Sequence, residues 1–78
     1  MNSIGRRLKN LRNAQGLSQE FMAKSMGVSL KVYQKYEDGI TPISLDAVSL
    51  LAMKHSLNIN WFLLGIGPMV NDYTKKWE

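Results

Sequence analysis

Seventy-eight residues leave room for one hydrophobic core and none for a second catalytic lobe, and 45% apolar with 21% charged residues predicts an independently folding globule rather than a disordered tail. The chain has no cysteine, which excludes a disulfide framework and a thiolate metal site; no stretch approaches the ~20 apolar residues of a membrane span or supplies the apolar run of a signal peptide, so a cytoplasmic protein is expected. The net charge of +4 is lopsided: residues 1–37 carry seven cations (Arg6, Arg7, Lys9, Arg12, Lys24, Lys31, Lys35) against two anions (Glu20, Glu37), while 38–78 carry three against four, and such a one-sided basic field favours a polyanionic partner.

Helical punctuation divides the chain into five segments. Ile4, Leu8 and Leu11 repeat at helical spacing behind a Ser3 cap, and Gly16 stops a helix over 4–15. Ser18 caps a second helix over 19–26, with Glu20 in its first turn, a stripe of Met22, Ala23 and Met26, and Gly27 at its end. Ser29 caps a third over 30–37, in which Val32, Tyr33 and Tyr36 share one side. Pro42 interrupts the helical pattern in the connector 40–43. Ser44 then restarts it, and Leu45, Val48, Leu51, Ala52 and His55 predict a fourth helix over 45–55, where His55 suits the negative end of the helix. Asn60 caps a short fifth helix over 61–64, with Ile59 and Leu64 as its hydrophobic staple, and the run 65–68 ends it. Residues 69–78 form a tail whose Met69, Tyr73 and Trp77 have helical spacing, leaving both a frayed end and a docking arm open.

The informative feature is the pair formed by the second and third helices. A small Ala23 permits close approach, Gly27 allows the positive φ of a tight turn, and Val28, Tyr33 and Tyr36 fill the wedge between two steeply crossing helices. With Val32, Tyr33 and Tyr36 turned inward, helical geometry turns Leu30, Lys31, Gln34 and Lys35 outward together. The ordered set Gly16-Leu17-Ser18-Gln19, Ala23, Gly27-Val28-Ser29, Tyr36-Glu37-Asp38-Gly39, Ser44-Leu45 and Trp61-Phe62-Leu63-Leu64-Gly65 resembles the Cro and phage-repressor helix-turn-helix family over residues 4–68.

The resemblance implies an all-α, compact five-helix DNA-binding domain over 1–68, followed by the tail 69–78 as a candidate dimerisation arm. It implies a transcriptional regulator, a repressor, that places the helix 30–37 in the major groove of double-stranded DNA at a palindromic operator. Leu30, Lys31, Gln34 and Lys35 would meet base edges, with a phosphate as the equal alternative for Lys35: lysine donates to guanine, glutamine pairs with adenine, and leucine rests on a thymine methyl. Ser18, Gln19 and Ser29, at helix starts rich in free amides, would meet phosphates. Asp38 stays out of the site, since a carboxylate facing phosphate is repulsive. The family further implies a structural ion pair between Arg12 and Glu37, while Tyr33, at a position usually aliphatic in the family, needs a partner for its hydroxyl or a phosphate to touch. A homodimer is expected through the aromatic-rich surface Trp61, Phe62, Ile66, Met69, Tyr73 and Trp77, although Trp61 and Phe62 also read as core.

His55 is the only histidine and the six acids are scattered without metal-ligand or paired spacing, so neither an enzyme nor a metal or other cofactor is expected. The rival reading is a protein-binding regulator or antitoxin that sequesters a partner, a toxin or antirepressor, through the region from Trp61 to Trp77; it would carry the same fold.

Overall fold

The computed structural model describes residues 3–71; Tyr73 and Trp77, named above for dimerisation, lie outside the described residues. Five helices follow one another: α1 Ser3–Ala14, α2 Gln19–Ser25, α3 Leu30–Glu37, α4 Leu45–His55 and α5 Ile59–Leu64. The fold is all-α, with one isolated bridge between Leu57 and Val70 and no longer strand pairing among the described residues. α3 and α4 have the expected limits, whereas α1 and α2 each end one residue early and α1 also begins one residue early, at Ser3 itself.

Three serines start three of the helices by one mechanism. The hydroxyls of Ser18, Ser29 and Ser44 accept from the amides of Phe21, Val32 and Ala47, each satisfying a donor that the first helical turn leaves unpaired. α5 departs from expectation because Asn58, not Asn60, is its cap: the Asn58 carboxamide oxygen accepts from the Asn60 amide at 3.1 Å. The shift moves the staple inward as well. Leu57 and Phe62 now hold the two staple positions and both are buried, whereas Ile59 and Leu64 are exposed.

The core is continuous from α1 through α5: Leu8, Leu11, Met22, Met26, Tyr33, Leu51 and Phe62 are all but inaccessible. α4 closes at Ser56 in a left-handed conformation, the one positive-φ residue besides glycines among those described. That turn sends the chain back. Asn58 donates to Met69 O at 3.0 Å and Asn71 donates to Ser56 O at 2.8 Å, so residues 69–71 are pinned to the body. His55 lies in the last turn of α4, as expected. Gln15 Nε2 donates to the His55 carbonyl, which turns Gln15 Oε1 to His55 Nδ1 at 2.8 Å and makes Nδ1 the protonated nitrogen; burial, then the neighbouring Lys54, hold the imidazole below its ordinary pKa.

One close crossing is not revealed by helical periodicity. A Cβ on Gly5 would come within 2.6 Å of Tyr36 O and 2.7 Å of Glu37 O, so α1 crosses the end of α3 backbone to backbone. Alanine for an interior helical glycine ordinarily stabilises a helix by about 1 kcal/mol. Here Gly5→Ala is expected to destabilise by about 1 to 3 kcal/mol in urea unfolding, the usual cost of overpacking; a more stable variant would show that the two backbones do not meet.

Candidate nucleic-acid interface

α2 and α3 are joined by four residues, 26–29. Gly27 supplies φ +70°, and the Val28 amide donates to Ala23 O at 3.0 Å, folding α3 across α2. Ala23, Met26, Tyr33 and Tyr36 are buried in that joint, with Val28 and Val32 half-buried beside it. One face of α3 is thereby spent on packing. Its other face holds Leu30, Lys31, Gln34 and Lys35, all exposed and side by side.

Behind this exposed face is a network centred on Glu37, whose side chain is 3% exposed. Arg12 Nε donates to Oε2 at 2.7 Å and its terminal nitrogen reaches Oε1 at 3.4 Å, while the other terminal nitrogen donates to Leu17 O at 3.1 Å. The Tyr33 hydroxyl donates to the same Oε2, so it is satisfied inside the fold and is not left over for a phosphate. Gln19 Nε2 donates to Oε1 at 3.1 Å. Burial pushes the Glu37 carboxyl up, but hydrogen bonds from Arg12, Tyr33 and Gln19 together with the Arg12 charge outweigh it and hold the group below the usual carboxylate range. The hydrogen bond to Glu37 conversely raises the Arg12 guanidinium, and burial, then the adjacent carboxylate, raise the Tyr33 phenol.

Gln19 is where the network reaches the outer face: its Oε1 accepts from Gln34 Nε2 at 3.1 Å. Both ends of the Gln19 carboxamide are therefore engaged, with one N–H to spare for an anion. Ser18 and Ser29 accept through Oγ as caps, and each retains a hydroxyl hydrogen that can be donated outward. The three residues bracket the openings of α2 and α3, where unpaired amides converge.

The cations divide into two sets. Arg12 is in the ion pair, and Arg7 lies over α5, donating to Phe62 O at 3.0 Å and covering Gly65, where a Cβ would stand 2.8 Å from the guanidinium. Arg6, Lys9, Lys24, Lys31 and Lys35 are exposed. Gly5, Arg7 and Ser56 were not singled out by sequence reasoning. An interior helical glycine was the available signal for the first, while nothing local marks the other two.

The aromatic surface named for dimerisation is rearranged. Phe62 is completely buried, with its ring 6.5 Å from that of Trp61, and so has no surface to offer; Trp61 and Met69 are half-buried against the core. Ile66 is 62% exposed, and it is joined by Ile59, Leu63 and Leu64, the outward side of α5. Next to them an apolar groove is lined by Ile4, Ile40, Pro42, Ile43 and Leu63. Among the described residues no helix is long and apolar enough to cross a membrane, and no three acidic or histidine side chains gather as metal ligands.

A family model described as helix-turn-helix matches residues 8–62. Two uncharacterized HTH-type transcriptional regulators, from Rickettsia conorii and Rickettsia prowazekii, are each 36% identical over 63 residues, which is 81% of this chain and 50% and 48% of theirs. The chain thus spans about half the length of the curated relatives it matches. No solved structure matches it.

The Glu37 network makes Arg12 the residue whose loss isolates a buried charge. Arg12→Ala is expected to cost about 3 to 5 kcal/mol of stability, the range for removing one partner of a buried pair. Chemical denaturation measures it, and a change of a few tenths would mean that α1 and α3 are not clamped by this contact.

Proposed function

The chain belongs to the Cro/C1-type helix-turn-helix family, and from that premise we propose that it is a sequence-specific DNA-binding transcriptional repressor, with α3 inserted in the major groove of a palindromic operator. The observation that carries this reading is the outer face of α3. Two lysines, a glutamine and a leucine stand exposed together there, on a helix whose inner face is fully committed to the core. Leu30, Lys31, Gln34 and Lys35 meet base edges: lysine as a donor to guanine O6 and N7, glutamine to adenine, leucine against a thymine methyl. Ser18, Gln19 and Ser29 donate to phosphates and set the register of the helix on the duplex.

Arg7 and Arg12 are occupied in the fold, so the electrostatic attraction to the duplex draws on at most the five exposed cations of the basic half, Lys31 and Lys35 of the reading face included. With each contact contributing a slope of about −0.9, the dependence of log affinity on log salt concentration is expected to be no steeper than about −4.5 per subunit. Titration of a selected operator at several salt concentrations measures it; a flat response would remove the nucleic-acid reading altogether.

One short helix reads too few base pairs to find a single site among genomic competitors, and two-fold symmetry is the common remedy. The proposed dimer surface is the outward side of α5 with Ile66, which offers Ile59, Leu63 and Leu64 in place of the buried Phe62. Two copies of α3 would then meet successive major grooves about 34 Å apart on one side of the duplex. Footprinting combined with sedimentation is expected to give a symmetric, two-half-site footprint with cooperative filling. Protection of a single half-site by one subunit at every concentration would end the dimer proposal and favour the rival reading, in which the apolar side of α5 and its groove receive a different protein.

A further inference from the structure

We infer that Glu37, which never faces outward, fixes the order in which Gln34 presents its hydrogen-bond acceptor and donor, and so confines the base pair beneath Gln34 to adenine; this rests on the reading of α3 as the recognition helix. Which atoms can donate decides the order. A carboxylate held between the Arg12 guanidinium and the Tyr33 hydroxyl can only accept. The end of the Gln19 carboxamide that meets it at 3.1 Å must therefore be Nε2, and the opposite end, which meets Gln34, must be the acceptor Oε1. Gln34 in turn must offer Nε2, at 3.1 Å. Three side chains are thus set in one sense by the first of them.

A glutamine without such a neighbour has a soft, nearly two-fold terminal torsion and can reverse its carboxamide at little cost, presenting donor and acceptor in either order. Gln34 is exposed and would otherwise be free to do so. With one Nε2 hydrogen given to Gln19, it keeps a single N–H and its Oε1 for a ligand. That pair matches the N7 acceptor and N6 donor of adenine. Guanine presents acceptors at both places, so Oε1 would face O6 with no hydrogen between them. Glu37 and Gln19 act here as positioning residues for Gln34.

The test selects bound duplexes from a random pool with the unaltered protein, Gln34→Ala and Gln19→Leu. Gln19→Leu leaves the Arg12 and Tyr33 contacts to Glu37 in place, and far-UV circular dichroism checks that it folds. The unaltered protein should prefer adenine at one position of each half-site by roughly tenfold or more, and Gln34→Ala should abolish that preference. In Gln19→Leu the adenine preference should drop by several-fold at that position while the other positions keep theirs. An unchanged preference there, or an equal loss of preference at all positions, would overturn the inference; the former, with affinity lowered for every sequence alike, would leave Gln19 as a phosphate contact only. If Gln34→Ala alters no position, the reading of α3 fails and the adenine assignment with it. The orientation itself is judged separately, without DNA, from the Gln34 side-chain amide resonances. The two Nε2 hydrogens should be split beyond the separation of an exposed glutamine and return to it in Gln19→Leu; resonances unmoved by the substitution would overturn the relay.

Discussion

The Glu37 carboxylate sits where α1, α2 and α3 meet, and each helix sends it a donor: Arg12 from α1, Gln19 from α2, Tyr33 from α3 itself. A buried anion is tolerated only when its lone pairs are filled, and the arrangement that fills them is also the arrangement that crosses the helices. Apolar packing alone would not set this geometry so narrowly. Side chains such as Met22 and Met26 adapt to several packings, whereas the directional bonds around Glu37 accept one. The angle at which α3 leaves the body therefore depends on a polar contact, and the apolar core supplies the stability in which that contact can be held.

Close backbone approach reinforces the same joint. Gly5 lets α1 rest against the Tyr36 and Glu37 carbonyls, and Arg12, about two turns further along the same helix, reaches the Glu37 carboxylate. α1 therefore acts as a brace along the end of α3 opposite to the one that Ser29 opens. The charge of the basic half is divided accordingly. Two arginines are withdrawn into structure, and four of the five cations that the basic half leaves at the surface are lysines.

Much of this was legible in the residues because the helix starts and the apolar stripes are local signals. Ser18, Ser29 and Ser44 marked three helices, and the limits of α3 and α4 followed from them. What escaped was decided by distant contacts. Asn58 and Asn60 are equally good caps by type, and only the returning segment, whose Pro68 carbonyl accepts from the Asn58 carboxamide, distinguishes them. Phe62 read both as core and as interface, because aromatic residues suit either, and only packing decides: α5 starts two residues earlier than expected, with Phe62 in the core and Leu63 and Leu64 outward. Tyr33 illustrates the reverse case: its need for a partner was evident from type, while the partner, four residues along its own helix, emerged only with the fold.

The way α5 is held has a consequence for how such a protein can change over generations. Its start is secured by Asn58, its inner side by Phe62, and its end by Arg7 on the Phe62 carbonyl, and none of these anchors uses Ile59, Leu63 or Leu64. The outer side of the helix bears little of the folding load, so substitutions there are nearly neutral for stability. The α3 face is likewise outside the core but is yoked through Gln34 and Gln19 to the central carboxylate. In the proposed roles of the two surfaces, selection can therefore alter the outer side of α5 in small steps without loss of the fold, whereas a change at Gln34 is tied to one at Gln19; the two surfaces are set to diverge at different rates among descendants of one ancestral domain.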